Sequence, residues 1–230
     1  MSAQPTPQEK LAELPGDHLV TGDNVVVSDA AVTINGAPEE VFPFLEQMGP
    51  RSNDPKKRPD LGGWPMGAAV ETFLPTEKRG KREIDPSLAL KEGDIITDWF
   101  SGEAPVEAKV VEVDAPHTLV FESTRETKNG RKMNVSWALV TKAQEDGTTR
   151  LQTRLRVGSV KHQKLVGAIG GVIDRALVAE LRDGINERLA GKPEPSEKGY
   201  KALKVGAAVG ALALAFAAGR KVQKARGGKD

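Results

Sequence analysis

No cysteine occurs among the 230 residues, which excludes disulfides, thiolate nucleophiles and cysteine-ligated zinc, and leaves no tie to an oxidising compartment. Histidine is almost as scarce. His18, His117 and His162 each lack a second histidine or a carboxylate at ligand spacing, so no metal is expected. The chain has no G-x-S-x-G elbow, no G-x-x-x-x-G-K-[ST] loop and no G-x-G-x-x-G turn. Hydrolase, P-loop and dinucleotide-binding readings therefore have no nucleophile or phosphate cradle, and no cofactor is expected. Met1 to Pro15 lacks the apolar stretch of a signal peptide, so a cytoplasmic body is expected.

What is present is unevenly charged. The net charge of +1 conceals nine Lys/Arg against three Asp/Glu in residues 192–230, leaving 24 against 29 in residues 1–191. A mildly acidic body is a poor nucleic-acid binder, because neutralising phosphates needs a basic face. Two basic clusters, Lys56-Lys57-Arg58 and Lys78-Arg79 with Lys81-Arg82, lie in loop-like sequence and are expected to be solvated. No nucleic-acid partner is expected.

The Pro/Gln/Glu-rich residues 1–23 read as a disordered or loosely docked arm. A domain is expected over 24–191, a polar linker over 192–200 and a hydrophobic tail with basic flanks over 201–230. Ala30, Val32 and Ile34 alternate with Asp29, Ala31 and Thr33 as in a half-buried strand. Pro38, Glu39 and Glu40 then suit a helix start, with Val41, Phe42, Leu45 and Met48 as its apolar stripe and Pro43 shortening it. Residues 50–68 read as a long loop around Trp64. Strands are predicted over Val70–Leu74, Ile95–Phe100, Val106–Val113, Thr118–Ser123, Met133–Val140 and Arg150–Val157, joined by turns in a meander. Leu151, Thr153, Leu155 and Val157 face one way while Arg150, Gln152, Arg154 and Arg156 face the other, which predicts one dry face and one wet face. From His162 to Leu189 the apolar period is helical, through Leu165, Ile169, Val172, Ile173, Leu177, Leu181, Ile185 and Leu189. The element order predicts an α+β domain whose curved sheet covers one long C-terminal helix, with an apolar cavity where the two do not close.

Several segments carry a resemblance as an ordered set: Ala37 to Leu45 with Gln47-Met48-Gly49, Gly63-Trp64, Glu92 to Ile96, Val113 to Val120, Trp137-Ala138-Leu139, Gly147 to Leu151 and Gly184 to Arg188. Together they resemble the SRPBCC proteins, the START-like or polyketide-cyclase-like superfamily, over roughly residues 25–190. The resemblance implies a helix-grip fold with a hydrophobic ligand cavity. It leaves function open, since relatives include lipid carriers, aromatase/cyclases and proteins of no known activity. One of the carbon monoxide dehydrogenase proteins is similar in joining such a domain to a hydrophobic C-terminal segment.

Aromatic residues make up only 4% of the chain, so each one weighs. The cavity candidates are Trp64, Phe73, Trp99, Phe121, Trp137, Leu155, Ile169, Ile173 and Leu177, with Trp137 expected inward. No catalytic residue is assigned. Binding or carrying of a hydrophobic small molecule (a lipid, a quinone or a polyketide-like compound) is the leading reading. A cyclase or dehydratase is its first rival, which needs Asp94, Asp98 or Arg154 to point into the cavity. The second is an interaction protein whose cavity its own side chains fill.

The tail carries the partner expectation. Val205 to Gly219 contains no charge and as a helix would measure about 22 Å, short against about 30 Å of bilayer hydrocarbon. Val205, Gly206, Gly210, Leu212, Leu214 and Phe216 form its apolar body, and the Gly206/Gly210 spacing suits self-association. Membrane association of a cytoplasmic domain is expected from it, as a span or as a surface helix; packing on a partner or on the domain itself is the alternative.

Overall fold

A computed structural model describes residues 3–49, 63–74, 76, 79–98, 106–126, 130, 132–160 and 163–196. Elements follow the order α1 (Pro7–Leu11), β1 (Val26–Ile34), α2 (Pro38–Glu46), α3 (Ala68–Glu71), β2 (Ile95–Asp98), β3 (Val106–Asp114), β4 (Thr118–Glu126), β5 (Lys132–Ala143), β6 (Thr149–Val157) and α4 (Gln163–Leu189). The six strands form one antiparallel sheet in the order β1-β6-β5-β4-β3-β2. This is the α+β helix-grip architecture: α4 lies across one face of the sheet, chiefly against β1.

The alternation read in the sequence sets the faces. Ala30, Val32 and Ile34 from β1, Val110 from β3, Leu119 and Phe121 from β4, Trp137 and Leu139 from β5, and Leu151 from β6 bury toward α4. Registers agree with this, pairing Phe121 with Trp137 and Trp137 with Leu155. In β3 the register shifts between Val110 and Glu112, a bulge that locally bends the strand. At the start of α2 the Glu40 carboxylate accepts from the Ala37 amide at 2.9 Å, satisfying one of the open donors of a helix N-terminus.

Five expectations need correction. Val70–Leu74 is not a strand: α3 occupies Ala68–Glu71 and a turn follows. Alternation over so few residues does not separate a strand from one helical turn. The helical stripe is also offset, because Val172 is 61% exposed while Val178, absent from it, is fully buried. The predicted wet face is covered. Residues 3–20 dock on it, with Leu14 and Val20 buried, and Gln152 and Arg154 disappear beneath them. This arm is neither disordered nor loose, because ion pairs of Glu9 with Arg150 and of Asp17 with Arg154 tie it to β6. Finally, Arg79 is buried and Arg82 is paired with Glu71, so that part of the second basic cluster is not solvated. The first cluster and Lys78 lie outside the described residues, as does the tail. Among the described residues, no helix is long and apolar enough to cross a membrane.

Candidate functional site

Between the concave face and α4 lies a cavity walled by Trp64, Phe121, Trp137, Leu155, Ile96, Ala108 and Val135, with Glu122, Ser123, Arg125 and Asp174 completing its lining. The cavity volume is about 40 Å³, and its empty space, open solvent included, is about 470 Å³. A water needs roughly 10–15 Å³ in the smaller measure, so about three water-sized groups fit before any side chain moves. The aromatic walls form one cluster, with Phe121 stacked on Trp137 and Trp64 tilted against it. Ring centroids lie 5.6 Å apart for Trp64 and Trp137 and 5.8 Å apart for Phe121 and Trp137, within the favourable range for aromatic pairs.

Pairing across β4 and β5 places Phe121 and Trp137. Trp64 belongs to no strand and is held differently. A Cβ on Gly80 would lie 2.4 Å from the Trp64 carbonyl oxygen, and one on Gly184 only 2.0 Å from that of Pro65. The Trp64 segment therefore threads between two positions that only glycine permits. The last turns of α4 clamp it further. Arg188, its side chain wholly buried, donates to the carbonyls of Met66, Gly80, Lys81 and Gly184 at 2.8–3.1 Å and to Glu71 at 2.5 Å. Arg82 holds the other Glu71 oxygen. Glu187 accepts from the Ala68 amide, and Asn186 accepts from Asn35. In the Gly184 to Arg188 motif, the glycine admits Trp64's neighbours while Asn186, Glu187 and Arg188 secure the surrounding chain.

Asp174 is the one deeply buried acid in the cavity lining. Only 3% exposed, it accepts one hydrogen bond among the described residues, from the Ser28 hydroxyl at 2.9 Å. Burial pushes its carboxyl up to about 6; the Ser28 bond counters this, Asp29 adds to it and Arg175 counters it. No salt bridge to Asp174 forms among the described residues.

Of the sequence-predicted cavity residues, the structure brings Trp64, Phe121, Trp137 and Leu155 together in the lining. Phe73, Ile173 and Leu177 do not line it. Phe73 follows α3, Ile173 is half-buried, and Leu177 belongs to the core. Trp99 and the Ile169 side chain lie outside the described residues. Among the groups the enzyme reading needed, Arg154 points the opposite way, under the arm, and Asp94 accepts the Lys91 amide in a turn. The Asp98 side chain also lies outside the described residues. Sequence reasoning missed Asp174, Glu71 and Arg188. The signal available for two of them was spacing: Asp174, Leu181 and Arg188 recur every seven residues on the buried face of α4.

No family model matches the chain, and no curated protein matches it. Among solved structures, it is similar to truncated norcoclaurine synthase from Thalictrum flavum at 12% identity and TM-score 0.45, covering 76% of this chain and 100% of that one. The Aha1 dimer from Colwellia psychrerythraea is similar at 13% identity and TM-score 0.41, over 70% and 96% of the two chains. DynU16, from the dynemicin biosynthetic locus, is similar at 14% and 0.40, over 76% and 51%. None of these likenesses carries a ligand, reaction or partner to this chain, whose own residues must supply the functional reading.

Proposed function

We propose that this domain binds a hydrophobic small molecule between its sheet and α4, without transforming it, and that the tail brings it to a membrane. The observation that supports binding most directly is the aromatic-walled cavity with one buried carboxylate. Apolar walls with few polar groups suit a small-molecule site. The resident space is small, so an occupant larger than about three water-sized groups extends through the mouth or displaces a side chain. Support for the membrane lies in the sequence of Val205 to Gly219 and its basic flanks.

Extraction of purified full-length protein followed by mass spectrometry tests the binding. A stoichiometric apolar compound is expected from the wild type, and its identity or amount should change in Trp137→Ala more than the fold does. An empty wild type that also fails to take up added apolar probes ends the reading. Fractionation with carbonate washing tests the tail: full-length protein found only in the soluble fraction removes the membrane role.

Asp174 sustains the enzyme alternative, since a carboxyl tuned to about 6 inside a cavity suits proton transfer. If the extracted compound is converted on incubation by the wild type and not by Asp174→Asn, the protein is an enzyme of the cyclase or dehydratase kind rather than a carrier.

A further inference from the structure

Donors and acceptors in the cavity are unequally matched. Arg125, half-buried near the end of β4, has a partner within the protein. Asp174 is far more buried, and one of its oxygens takes the Ser28 hydroxyl. The other receives no hydrogen bond from the described residues. Among the described residues, the charges that act on it are Asp29, which repels it, and Arg175, which attracts it without forming an ion pair. Burying a carboxylate this way is costly unless a cation or strong donor joins it. The space beside it is bounded by the rings of Trp64, Phe121 and Trp137, whose faces attract an ammonium group through their quadrupoles.

We propose that the ligand is an apolar molecule bearing a protonated amine, which the Asp174 carboxylate holds against this aromatic wall. The inference rests on the binding reading above and names its ligand class. Asp174 supplies a charge-assisted hydrogen bond and the rings supply apolar and cation–π contact. The ligand's hydrocarbon body is short inside the cavity and continues through the mouth. A ligand carboxylate placed there would meet Asp174 as a like charge.

Three probes of equal length decide it: n-hexylamine, n-hexanol and hexanoate, titrated into the full-length protein at pH 7.5 and followed by calorimetry. Hexylamine is expected to bind at least about tenfold tighter than hexanol, the size of one hydrogen bond to a charged group, with hexanoate weakest. Asp174→Asn should erase the amine preference while hexanol binding holds within about twofold. Ser28→Ala should keep the preference, since the carboxylate remains. Equal binding of amine and alcohol by the wild type overturns the amine assignment and leaves ligand binding standing. Preference for hexanoate overturns it too and moves recognition to Arg125. Binding of none of the three overturns both readings. If Asp174→Asn does not fold, the wild-type ranking of the three probes still decides the matter.

Discussion

On the convex face Arg154 commits its five N–H groups to Glu9, Lys10, Ala12, Asp17 and Asp29; on the concave face Asp174 accepts one hydrogen bond from the described residues and lines a cavity. Both side chains are nearly inaccessible to solvent. The difference separates structure from function. A buried charge with every donor satisfied is a fastener, because the surrounding groups return what desolvation removed. A buried charge with one partner beside empty space keeps capacity for a ligand. The arm docks because the convex face needs it: Arg150 grips both Glu9 oxygens at 2.7 and 2.9 Å, Gln152 donates to the Glu9 carbonyl, and Arg156 donates to that of Val20.

The largest expected effect breaks a second, equally saturated charge. Arg188→Ala strips Glu71 of one partner and leaves the carbonyls of Met66, Gly80 and Lys81 without their donor, which should cost about 3–5 kcal/mol. Urea unfolding measures it, and a loss below about 1 kcal/mol would show that the network fastens nothing.

Asp174→Asn should do the reverse. Its folded-state value, about 6 against an ordinary 3.8, means that the protonated carboxyl suits the fold. Its stabilising contribution is fully present below about pH 4 and is lost as pH rises through 6. At pH 7.5 the amide should therefore add about 1–3 kcal/mol, and near pH 4 the gain should vanish. Equal or lower stability of the variant at both values would contradict the strained-carboxylate account.

The smallest effect lies on the arm. Hydrogen bonding to Arg150 holds the Glu9 carboxyl down to about 2, against the opposing effect of burial. Its contribution is present above its ordinary 4.5 and is lost as pH falls toward 2. Glu9→Gln should cost about 1 kcal/mol at pH 7 and little near pH 2, read from paired thermal melts. A pH-independent cost would mean that the side chain matters through packing rather than charge.

Strand alternation from Asp29 to Ile34 and from Arg150 to Val157, together with the helical period after His162, was legible because each element's own residues carry the period of the face it buries. The inward facing of Trp137 followed from the same rule. Less was legible wherever a partner is distant in the chain. Glu71 meets Arg188 across 117 positions and Arg154 meets Asp17 across 137, and no local pattern records such pairings. Phe73 reads as apolar and strand-like, yet the turn after α3 leaves it outside the cavity lining.

The sequence by itself determined the α+β class, the faces of β1, β5 and β6, and the long helix, since hydrophobic period acts on neighbouring residues. Only the tertiary structure decided that acids of the arm would dry the convex face, that two glycines would seat Trp64, and that Asp174 would share a cavity with three aromatic rings. Those outcomes depend on which surfaces meet once the sheet curves over α4, and burial and desolvation act only where surfaces meet.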